Sequence, residues 1–87
     1  VDVTANPYET YNQLINAEDR LLERLEACEL AQSSIFDLFF KSEGPLSREG
    51  VEEILQAVHA ISLRLQSELL ALRLEKKTVA RQLKKFT

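Results

Sequence analysis

The sequence predicts an all-α fold, an antiparallel hairpin of two long helices, and three observations carry that prediction. Apolar residues recur in alternating steps of three and four along two long stretches. The 87 residues include only two glycines and two prolines, which leaves room for few turns. One Gly-Pro pair, Gly44-Pro45, falls between the two stretches.

The first helix is announced by Asn6-Pro7-Tyr8-Glu9. The Asn6 side-chain oxygen can accept a hydrogen bond from an amide left unpaired at the helix start. Pro7 falls at the first helical position, where a missing N–H costs nothing. Glu9 favours the positive end of the helix dipole. From there Tyr11, Leu14, Glu18, Leu21, Leu25, Cys28, Gln32, Ile35 and Phe39 form a heptad seam. Ile15, Leu22 and Phe36 widen it on one side, and Ala17, Ala31 and Leu38 on the other.

Gly44-Pro45 ends this helix, because glycine suits the cap and proline cannot continue the hydrogen-bond ladder. Ser47 is a good N-cap for a second helix, with Glu49 in its first turn. The second seam runs Val51, Leu55, Val58, Ser62, Leu65, Leu69, Leu72, Lys76, Val79, Leu83 and Phe86. The reading is therefore one domain over residues 1–87: helix 1 over about 7–43, a turn at 44–47, and helix 2 over about 48–86. Each helix would be about 50–60 Å long. A short connection forces the helices antiparallel. Folding about Pro45 then brings Leu25 opposite Leu65, Leu21 opposite Leu69, Cys28 opposite Ser62, and Gln32 near His59. The two charged seam residues, Glu18 and Lys76, come within a turn of each other and could pair.

Two helices leave much apolar surface unused. Ile54 and Ile61 flank the second seam, and Leu63, Leu70 and Leu74, with Ala60 and Ala71, form a stripe on another face. The first helix adds Phe36, Leu38, Phe39 and Phe40 near the turn. Patches of this kind mark interfaces. Phe36, Phe39, Phe40, Ile54, Ile61, Leu63, Leu70 and Leu74 are thus the candidate interface residues. A homodimer closing a four-helix bundle is the simplest way to cover them, and a heterologous partner helix is the alternative.

Other chemistry has little to stand on. His59 is the only histidine and Cys28 the only cysteine, too few for a structural zinc site. Bland roles fit better: His59 at the seam edge, bonded to Gln32 or water, and Cys28 as a small buried hydrophobe. Glu18, Glu23, Glu26 and Glu29 lack the Glu-x-x-His motif of di-metal bundles, and most should face solvent. There is no glycine-rich phosphate loop and no Ser-His-Asp spacing. The expectation is a protein that is not an enzyme and uses no cofactor, metal or small-molecule substrate.

Charge is polarised rather than balanced. The net charge of −3 hides a run near the end, Arg73, Lys76, Lys77, Arg81, Lys84 and Lys85, opposed only by Glu75. Arg73, Lys77, Arg81, Lys84 and Lys85 are the candidate contacts for an anionic partner, RNA or DNA included. The competing reading is structural, since cations favour a helix C-terminus and would lie beside Glu9, Glu18 and Asp19. With 45% apolar and 29% charged residues the chain is not of a disordered composition. The opening residues do not read as a signal peptide, and no apolar run approaches the roughly 18 residues of a membrane span. A lone cysteine suits a reducing compartment, so a cytoplasmic location is expected.

The layout resembles the FlgN/FliT type of flagellar export chaperone, and small helical-hairpin chaperones of type III secretion more broadly. The stretch most like them is Gly50 to Phe86, where Ile54-Leu55 opens a long helix that passes Leu69-Leu70 and Leu72 and ends in the basic run. The resemblance implies a small cytosolic all-helical protein that holds an export substrate's helix in an apolar groove. It carries no catalytic residue and no diagnostic motif onto this chain. A non-catalytic helical interaction module, an export chaperone or adaptor, is the leading expectation. A constitutive homodimeric structural or regulatory coiled coil and a nucleic-acid-binding hairpin stand beside it.

Overall fold

A computed structural model describes residues 6–41 and 46–85. They form two helices, α1 (Pro7–Lys41) and α2 (Arg48–Lys85), packed side by side as an extended hairpin. The molecule is a rod of 63 × 20 × 18 Å. Its radius of gyration is 19.3 Å, where a compact chain of this length would have about 12 Å. Gly44-Pro45, the last residues expected of the first helix, and Phe86 lie outside the described residues.

Both helix starts are capped as their sequences require. Asn6 Oδ1 accepts from the Tyr8 amide at 3.0 Å, and the Asn6 carbonyl takes the first helical bond from Thr10 at 3.0 Å. Ser47 Oγ accepts from the Gly50 amide at 3.1 Å, and its carbonyl takes the bond from Val51 at 2.9 Å. Each cap satisfies a donor that a helix leaves orphaned at its first turn.

The seam is where the heptad spacing puts it. Every described seam residue of both helices is buried or half-buried. The core centres on Leu21, Cys28, Leu65 and Leu69, with Leu25, Val58 and Leu72 packed against them. Leu65 is the most enclosed, at 1% exposure. Val51 and Val79 are buried toward the two ends. Ser62 is the one buried polar residue in the middle of α2, and no buried side-chain polar atom lacks a partner among the described residues.

Candidate interaction surface

The apolar side chains that miss the seam are displayed rather than hidden. Among the described residues twelve large hydrophobic side chains are exposed, and six apolar residues are buried in the core. Single exposed apolar residues are ordinary, so what matters is whether these are contiguous.

Helical geometry sorts these residues onto faces. Leu63 (51% exposed), Leu70 (70%) and Leu74 (70%) lie on the side of α2 turned away from α1. At 3.6 residues per turn their stripe lies roughly 150° around the helix from the seam. Ile54 and Ile61, seven residues apart and both exposed, flank the seam on a different side of α2. On α1, Tyr8, Ile15, Leu22 and Phe36 share one heptad position along one edge, with Ile15 half-buried and the others exposed.

The turn end of α1 carries an aromatic cluster. Phe36 and Phe40 stack with ring centroids 6.4 Å apart, and Phe39 meets Phe40 edge-on at 5.6 Å. Phe40 is nonetheless 78% exposed. Phe39 is half-buried, because its spacing also makes it the last seam residue of α1. It anchors the cluster more than it presents it.

Of the candidate interface residues, then, seven are exposed and Phe39 is partly withdrawn. Leu30 (62% exposed) and Tyr8 were not among the candidates. The signal for Tyr8 was present, since it precedes Ile15 by one heptad on the line that leads to Leu22 and Phe36. Leu30 stands apart from any stripe, and spacing alone gives no reason to single it out.

The far end of the rod is electrostatic. Glu18 sits at a seam position on α1 and meets two cations of α2. Lys76 Nζ donates to Glu18 Oε1 at 2.6 Å, and Arg73 Nε donates to Oε2 at 2.8 Å. The hydrogen bond from Lys76 first, and that from Arg73 second, hold the Glu18 carboxyl below the usual glutamate range. Arg73 is thereby committed within the chain. Of the remaining basic candidates, Lys77, Arg81, Lys84 and Lys85 are all exposed.

The other chemical candidates are dispersed. His59 is exposed and makes no hydrogen bond to Gln32, so of the two expected partners it is water that its side chain can reach. Cys28 is buried in the core as a free thiol. Glu23, Glu26 and Glu29 are exposed along α1. Among the described residues no group of histidine, cysteine or carboxylate side chains could hold a metal ion, and no helix is long and apolar enough to cross a membrane. No family model matches the sequence, and no curated protein and no solved structure matches it either.

Proposed function

We propose that this chain is a non-catalytic helical interaction module, an adaptor or export chaperone that works by covering its outer apolar stripes with another protein chain. One observation carries the reading: Leu63, Leu70 and Leu74, Ile54 and Ile61, and Tyr8, Leu22 and Phe36 are exposed and line up by helical spacing. Leu63, Leu70 and Leu74 follow one line along α2 with Ser67 between the first two, the spacing by which a helix presents an apolar stripe to a partner helix. Burying a leucine contributes about 1.5–3 kcal/mol, so a stripe of three offsets a substantial part of the cost of association. A homodimer and a heterologous helix both satisfy this reading, and a reducing cytoplasmic setting suits the buried free thiol.

A nucleic-acid role is the weaker proposal. Arg73 and Lys76 are turned inward onto Glu18, and no aromatic residue interleaves the exposed cations between Lys77 and Lys85.

The test is affinity capture with the wild-type chain beside Leu70→Glu and Leu63→Glu variants whose helicity is first confirmed. Binding of protein, whether another species or a tagged second copy, should be lost in both variants. Capture that is the same for all three chains, or absent for all three, would sink the proposal.

A further inference from the structure

The outward side of α2 carries more than its leucines. Extending its alternating steps toward the turn adds Gln56, Glu53 and Glu49, and extending them the other way adds Lys77 and Arg81. All of these are exposed. One face of a single helix thus runs from acidic, through apolar, to basic.

The line is complementary to its own reverse, with Ser67 at the centre. Glu53 stands two heptads before Ser67, and Arg81 two heptads after it. Ala60 stands one heptad before, and Leu74 one heptad after. Leu63 and Leu70 straddle Ser67 at nearly equal distance. Acid is matched with base, small with large, and leucine with leucine.

We propose that this face is covered by α2 of a second copy of the chain, running antiparallel across a two-fold axis at Ser67. The inference rests on the interaction-module reading above and names its partner. Glu53 then meets Arg81 of the partner subunit at both ends of the interface, because a two-fold contact repeats each pair. Ala60 leaves room for Leu74 of the partner subunit, as close helix packing requires. A parallel pairing would set Glu53 on Glu53 and Arg81 on Arg81, which like-charge repulsion disfavours. The result is a four-helix assembly with the two α2 helices central and each α1 outside.

The chain has surface in excess. The chain exposes 6839 Å², where a compact protein of 9.9 kDa would expose about 5,200 Å². The excess of about 1,600 Å² is spread over the whole rod, and the outer face of α2 is one part of it that a second copy can cover.

Single cysteines test the register directly, with wild type as the control for buried Cys28. Under mild oxidation Ser67→Cys should form a covalent dimer. Glu53→Cys and Arg81→Cys should each stay unlinked alone and link when mixed. Separately, Glu53→Arg should weaken self-association a few-fold, roughly what one exposed ion pair at each end contributes, and adding Arg81→Glu should restore it. Self-linking of Glu53→Cys would mean a parallel pair and overturn the inference. A monomer by light scattering, or a dimer in which Ser67→Cys does not link, would also overturn it. In those last cases, capture of another protein that is lost in Leu70→Glu would keep the interaction-module reading intact, whereas no Leu70-dependent capture would remove both.

Discussion

Glu18 and Lys76 meet across the hairpin at 2.6 Å, each occupying a seam position that would otherwise hold an apolar side chain. Arg73 takes the second carboxylate oxygen at 2.8 Å. A carboxylate inserted between two helices is tolerated only with its charge answered, and the pairing answers it from both sides. It also fixes register: sliding one helix by a heptad would leave Glu18 and Lys76 apart in the seam.

Replacing Glu18 by glutamine should therefore lower the thermal midpoint of the hairpin, and the effect should shrink in a Lys76→Met background. Acid sensitivity should change with it. The folded carboxyl is held below its ordinary value, so in that window the unfolded chain binds more protons and stability rises with pH. The contribution is complete above the unfolded value, about 4.3, and is lost as pH falls through the lower folded value. An acid titration of helicity should show a shallower decline for Glu18→Gln. Superimposable titrations would show that the pair does not stabilise the fold.

Leu65 is the residue whose loss should hurt most. It is 1% exposed at the centre of the core, and truncating a fully buried leucine to alanine costs about 2–5 kcal/mol. A rod this thin has little stability in reserve. Leu65→Ala should be largely unfolded at room temperature by circular dichroism, whereas Leu70→Ala, at a position 70% exposed, should leave the helix content of the hairpin unchanged.

Cys28 offers a native probe of opening. Its thiol is buried beside Leu21, Leu65 and Leu69, so a thiol reagent should react only when the helices separate. Modification should be slow in the wild type, and it should accelerate in any variant that weakens the core near it. Immediate reaction in the folded protein would contradict the packing around that site.

The two caps should each be worth about 1 kcal/mol. Ser47→Ala removes the acceptor for the Gly50 amide, and Asn6→Ala removes that for Tyr8. Ser47→Asp should retain most of the stability, because its carboxylate also accepts from the first turn. Equal melting of Ser47→Ala and wild type would show that α2 does not depend on its first turn.

The seams were legible because each is a long, unbroken repeat. Alternating steps from Tyr11 to Phe39 and from Val51 to Leu83 leave a helix one face to bury, and the scarcity of glycine and proline leaves it nowhere to break. The Glu18–Lys76 pair followed from folding those two repeats about the turn. The surface was less legible. Spacing placed Leu63, Leu70 and Leu74 off the seam but could not say how far each would protrude. It gave Phe39 two roles, of which the structure favours the seam. His59 was placed near Gln32 by register, yet register does not decide whether a long side chain turns inward or out to water.

The central claim is that the hairpin's outer apolar stripe is covered by a second copy of the chain, and thermal melting across a wide range of protein concentrations tests it most directly. Covering by a second copy predicts a midpoint that climbs with concentration, because association is then part of folding. The same dependence should vanish in Leu70→Glu. A monomer that melts at one temperature over the whole range, with Leu70→Glu indistinguishable from it, would contradict the claim.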